Sequence, residues 1–197
     1  MSKYAVMPIT DYENICDAVR EKTGKTDLLK SGDISGEING IEVGGDIDGL
    51  NAGTITEITT NLTTLREYAF AQCKQLTKLS MPNVTQALSH ICNGCTSLKT
   101  VEMPNVTLIG YNTFYNCEKL ELSVLPSGLT TIRNNSFYNC KKLTSITFKS
   151  TPTIMDNSVF GGCINLKTIN VPWAEGAVAN APWGATNATI NYNYTGG

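Results

Sequence analysis

The chain has 197 residues, of which 41% are hydrophobic and 16% charged, with a formal net charge of −2. About 25% charged residues is ordinary, and a chain of this size holds one or two compact units. The near-neutral balance excludes a basic stripe that would neutralise phosphates, and no apolar run approaches the roughly 18 residues of a membrane span, so neither nucleic acid nor a crossed bilayer is expected.

Residues 1–43 read as a small helical segment. The apolar opening, Tyr4 to Ile9, is short, contains Pro8 and meets Asp11 and Glu13 at once, which does not read as a signal peptide. A chain begun at Met1 is therefore expected to be made in the cytoplasm and to leave it by another route. Thr10 can cap a helix, with Glu13 completing a capping box. Ile15, Cys16, Ala18 and Val19 then form an apolar stripe, and Gly24 ends the helix between Lys22 and Lys25. Asp33 can cap a second short helix carrying Ile34, Ile38 and Ile41. Two such helices cannot build a core alone. Ile15, Val19, Ile34 and Ile38 therefore need the solenoid, another copy or a partner to cover them, and are predicted to anchor the chain or build an oligomer. Residues 44–54, rich in glycine, read as a linker.

Residues 55–172 are repetitive. Cys73, Cys95, Cys117, Cys140 and Cys163 fall 22, 22, 23 and 23 residues apart. Three residues before them stand Phe70, Cys92, Phe114, Phe137 and Phe160; three after stand Leu76, Leu98, Leu120, Leu143 and Leu166. Fixed apolar positions at such a period predict a β-rich solenoid of about five turns. Each repeat opens with an alternating stretch that reads as a strand. Leu79, Val101, Ile146 and Ile169 face in, as do Met81, Met103, Leu125, Phe148 and Val171, and Pro82, Pro104, Pro126 and Pro172 end the strands. Residues 173–197 read as a C-terminal cap, in which Trp173 and Trp183 can cover the last turn and the alternating stretch from Ala188 to Tyr194 can add terminal strands.

Seven cysteines is an odd number, so at least one is free or bonded between chains. Stacked turns place equivalent cysteines about 4.8 Å apart, within disulfide reach. The favoured reading is that each is a small core residue filling the same corner. Cys92 and Cys95 form the sole Cys-x-x-Cys, with no second pair, so no metal site is expected. Gly24-Lys25-Thr26 lacks the first glycine of a phosphate loop and follows a helix. Asp46, Asp48 and Asn51 lack a closing glutamate and read as a turn rather than a calcium loop. The one histidine, His90, aligns with Tyr68, Asn112, Asn135 and Ser158 in a solvent-facing row, with no nucleophile motif beside it. No cofactor and no catalytic residue are predicted. Six Asn-x-Ser/Thr sequons, at Asn61, Asn83, Asn105, Asn134, Asn187 and Asn193, read as turn residues.

Two outward rows are candidate binding positions. On the strand face, Lys78/Ser80, Thr100/Glu102, Ser145/Thr147 and Thr168/Asn170 point away from the core, whereas Leu122 and Val124 at the same register are apolar. Either the strand bulges to bury them or they form an exposed patch; the bulge is favoured, because otherwise Ser123 is buried. The second row pairs Tyr115 with Tyr138 on adjacent turns, suited to sugar stacking or a protein contact, or to covering the Phe row.

The Phe-x-x-Cys-x-x-Leu corner, the strand and the Met-Pro-Asn-Val that follows it in the best copies resemble the BspA-like leucine-rich repeats over about residues 55–172. Cys92 stands where that family has Phe, and Ser123 where it has an inward aliphatic. The resemblance implies a surface or adhesion role, often extracellular. The opening, from Tyr4 to Gly40, is similar to N-terminal segments of tail and other virion proteins of phages and prophages of Gram-positive gut bacteria. The ending, from Val171 to Asn193, is similar to the ends of repeat proteins from the same setting. These likenesses imply a virion structural protein of tail, baseplate or fibre type, released by lysis and not an enzyme. Its repeats would bind a host cell-surface protein or glycan, while residues 1–43 would hold other virion proteins or build a homo-oligomer. Capsid decoration or a head fibre, and a bacterial cell-surface adhesion module, are the alternatives.

Overall fold

A short strand that alternates inward and outward side chains cannot bury its inner edge alone; stacking such strands in register does so, at about 1.5–3 kcal/mol for each large apolar side chain buried. The computed structural model describes the backbone of residues 41–44 and residues 56–60 and 62–196, and there the chain winds in this way. One face carries β2 (Glu57–Thr60), β3 (Lys78–Ser80), β5 (Thr100–Glu102), β8 (Ser145–Thr147), β10 (Thr168–Asn170) and β11 (Thr189–Asn191). They pair in parallel and in register in two blocks, Ile58 opposite Leu79 opposite Val101 in one and Ile146 opposite Ile169 opposite Ile190 in the other. A second face carries the two-residue strands β4 (Gln86–Ala87), β6 (Leu108–Ile109), β7 (Thr131–Ile132) and β9 (Ile154–Met155), again parallel. Between the two faces lies one continuous apolar core.

The Phe and Cys rows form the spine of that core. Phe70, Phe114, Phe137 and Phe160 are fully buried, and the rings of Phe114, Phe137 and Phe160 stack at 5.3 and 5.7 Å. Cys73, Cys95, Cys117, Cys140 and Cys163 are buried beside them. Cys92, in the Phe row, is buried without a ring. The thiols of Cys95, Cys117, Cys140 and Cys163 donate to the carbonyls of Phe70, Cys92, Phe114 and Phe137, one turn back, at 3.0–3.2 Å. The corner recurs because its backbone bonds recur: Cys140 N–H donates to Phe137 and Leu143 N–H to Cys140, as in every copy. One residue of each corner, Gln72, Gly94, Asn116, Asn139 or Gly162, holds a φ of 59 to 76°, the left-handed region that glycine and asparagine tolerate best.

Three expectations need correction. The coil makes about six turns, counted between successive rungs of the first face, rather than five with a cap. Residues 173–191 are a further turn: β11 pairs with β10, and Ala185 and Ala188 repeat the backbone bonds of Cys163 and Leu166. The composition hid this because Pro182 and Ala185 replace Phe and Cys. Trp173 and Trp183 are nonetheless buried against that turn, meeting Phe148 at 5.1 and 6.3 Å. Second, Ile41 is not helical: Ile41–Gly44 forms β1, antiparallel to β2, and covers the first edge of the solenoid. The remaining helical positions, Ile15, Val19, Ile34 and Ile38 among them, lie outside the described residues. Third, Cys73 is disulfide-bonded, whereas Cys92, Cys95, Cys117, Cys140 and Cys163 are free thiols.

Candidate binding surface

The strand face is continuous except at one rung. β3 and β5 pair on one side of it and β8, β10 and β11 on the other, while residues 122–124 between them hold only an isolated bridge, Val124 to Thr147. In the repeat alignment Ser123 falls at the inward position of that rung, between Val101 and Ile146. A hydroxyl placed in an apolar core without a partner costs free energy, and here Ser123 is exposed instead. The favoured bulge does not bury its neighbours: the rung keeps its register with β8 through Val124 and Thr147 and loses only its pairing with β5, and Leu122 is half-buried and Val124 46% exposed.

The unpaired rung lies on a shallow, open groove of about 560 Å³. Leu122, Val124 and Glu102, three of the five candidate binding residues, line it together with Val101, Met103 and Leu125. Pro82, Pro104 and Pro126 close one side and Lys149 stands beside them. Glu102 accepts from the Ser80 hydroxyl at 2.9 Å and pairs with Lys78 at 3.4 Å. These contacts, the Ser80 bond first, hold its carboxyl below the usual carboxylate range. Lys149 is exposed and has no ion pair among the described residues. It takes the place in the proline row that Pro126 and Pro172 hold on adjoining turns, a break visible in the sequence that motif reading passed over.

Tyr115 and Tyr138 lie elsewhere, at the corner. They do stack, at 5.0 Å and 7°, and both are half-buried. Tyr138 rests on Gly161, where an added Cβ would come within 2.8 Å of the ring. Each tyrosine therefore gives one face to the other, and Tyr138 gives its second to Gly161. His90 is half-buried rather than open: its ring stacks on Tyr68 at 4.4 Å, and Nε2 lies 3.1 Å from the Asn112 amide nitrogen. On the same side Arg133 sits 5.8 Å over the exposed Tyr111 ring and 4.0 Å from Asp156. Among the described residues no cluster of three or more His, Cys, Asp or Glu is placed to hold a metal ion, and no helix is long and apolar enough to cross a membrane.

No curated protein shows significant similarity to the chain. Two solved structures do: a leucine-rich repeat protein from Bacteroides ovatus, 18% identical with a TM-score of 0.42, and the T. pallidum leucine-rich repeat protein, 22% identical with a TM-score of 0.40. The alignments cover 73% and 62% of this chain, and 47% and 68% of those proteins, so the chain spans about half the length of the first. The pattern of the BspA type leucine rich repeat region matches six copies over residues 63–175, more than half of the chain. With the buried Phe, Cys and Leu rows and the stacked parallel strands that the pattern encodes, the chain belongs to the BspA-type leucine-rich repeat family.

Proposed function

We propose that this chain is a binding protein of a phage virion, of tail, baseplate or fibre type, whose strand face docks a host or partner molecule. The observation that carries the binding role is the convergence of Leu122, Val124 and Glu102 on one groove at the sole broken rung of the strand face. Regular rungs present Thr, Ser, Asn and Lys to solvent, whereas this one presents aliphatic side chains, and an exposed aliphatic cluster with a polar rim suits a protein contact. The virion setting is supported by the likeness of the opening segment to virion proteins and of the ending to repeat proteins from the same setting. Residues 1–43 are assigned to attachment, and a homo-oligomer through them fits their apolar stripes. Capsid decoration or a head fibre uses the same parts. The second reading, a bacterial cell-surface adhesion module, is favoured by the family membership itself, which describes the repeats and not their carrier. In each of these the role is binding without catalysis. The lone histidine supports this, since it is engaged by Tyr68 and Asn112.

The test is co-sedimentation. Particles from an induced lysate are banded by density and the chain is sought by mass spectrometry, alongside adsorption of the purified chain to cells of the source culture. A fixed ratio to the capsid protein is expected. Recovery only with cell envelopes would replace the virion reading by the surface adhesin.

A further inference from the structure

The broken rung also bears on what the groove takes, an inference that rests on the strand face being the binding surface. At the other junctions of this face, the N–H after each strand donates to the next rung: Met81 to Glu102 at 2.8 Å, Leu125 to Thr147 at 3.0 Å, Phe148 to Asn170 at 2.9 Å and Val171 to Asn191 at 3.0 Å. Met103 stands at the same place and makes no such bond to Val124, because Val124 does not pair with Glu102. The opening is short, since Glu121 N–H still donates to Lys99 at 2.9 Å just before it. Among the described residues the Met103 N–H thus has no main-chain acceptor, and Met103 lines the aliphatic groove. A backbone N–H without a partner is a ready site for an incoming carbonyl.

The charges add a direction. Glu102 is already engaged by Ser80 and Lys78, so a basic ligand meets a carboxylate that is compensated. Lys149 has no ion pair among the described residues and stands free to meet an acid. No aromatic ring lines the groove, so it lacks the flat apolar face on which sugar rings stack. We propose that the groove takes an extended, aliphatic and acidic segment of a partner protein. An aliphatic side chain enters between Val101 and Val124, a main-chain carbonyl accepts the Met103 N–H, and a carboxylate pairs with Lys149.

The full ¹⁵N-labelled chain is titrated with a capped peptide of glycine, leucine, valine, aspartate and glycine. The same peptide with lysine for aspartate, and a tetramer of N-acetylglucosamine, serve as competing probes. The acidic peptide is expected to shift the Met103 and Val124 amides saturably, and the lysine peptide to bind at least tenfold more weakly. Lys149→Glu is expected to reverse that order, and Val124→Glu to abolish both while the Tyr115 and Tyr138 resonances stay in place. Equal or tighter binding of the lysine peptide, shifts of the same amides by the oligosaccharide, or no shift with any peptide overturns the proposal. Adsorption of the Val124→Glu chain separates the two readings. If adsorption is lost while peptides leave the groove untouched, the surface stands and its assigned ligand falls. If adsorption is unchanged, the strand-face reading falls as well.

Discussion

Cysteine recurs at the corner because two demands meet there. The site is sealed, so the side chain must be small and apolar, and the carbonyl one turn back can accept a weak S–H donor. Cys140→Ala removes both the sulfur's packing and that donor, and is expected to cost about 1–2 kcal/mol in denaturant unfolding. Burial pushes the Cys92, Cys117 and Cys140 thiols well up and that of Cys163 up to about 12. The unfolded chain releases such protons near pH ~8.5. Stability is therefore intact below that pH and falls as pH rises from it toward about 12, where Cys163 also ionises in the folded state. A series of unfolding curves from pH 7 to 10.5 checks this, and Cys163→Ala should flatten the decline. By the same burial, the five free thiols should react with a thiol reagent only after unfolding. In the neighbouring row, the Thr113 hydroxyl lies 2.9 Å from the Gly110 carbonyl and 3.1 Å from that of Leu88, whereas buried Ser136 Oγ has no partner. Ser136→Ala should accordingly be neutral or stabilise by up to about 1 kcal/mol, and Thr113→Val should destabilise by about 1–2 kcal/mol, both read by thermal and urea midpoints.

Among the elements, the strands of the first face are legible where the inward position is aliphatic, whereas the two-residue strands of the second face are too short to show an alternation. Leu79, Val101, Ile146 and Ile169 each seat a rung; Ser123 unseats one. Its polarity signals a departure, but whether the strand bulges, slips or opens depends on the rungs above and below, which the local pattern does not contain. Ser123→Ile supplies the missing inward group. It is expected to restore pairing with β5, close the groove and add about 1.5–3 kcal/mol by burial. Slowed hydrogen exchange at Met103 would show the new bond, and unchanged exchange with no gain in stability would count against this account of the break. A second local test concerns the second face, where the backbones of Leu88 and Ser89 come within 2.7 Å of where a Cβ on Gly110 would lie. The neighbour is a backbone peptide and not a flexible side chain that could yield, so Gly110→Ala should cost about 1–3 kcal/mol on thermal unfolding.

At the scale of the whole molecule, each turn is held by its neighbours, so the ends set how the stack behaves. β1 covers the first edge, and at the other end β11 is the last strand of the described chain, with Trp173 and Trp183 buried. Trp183 is fully buried and its indole N–H donates to Ala179 at 2.7 Å. Trp183→Ala is expected to cost about 3–5 kcal/mol and to loosen the last turn first. Hydrogen exchange resolved by turn distinguishes that from a uniform loss. The sequence by itself determined the repeat, its period, the main strands of the first face and the buried Phe, Cys and Leu rows, because a solenoid writes the same burial demand into each turn; the second face, read as a loop, forms strands instead. Only the tertiary structure decided that the chain after Trp173 winds once more, that Ile41 belongs to a strand and that the rung at Ser123 opens into a groove. Each of these depends on which backbone edge lies next to which, and a hydrogen-bonding neighbour 20 or more residues away leaves no mark on the local pattern of side chains.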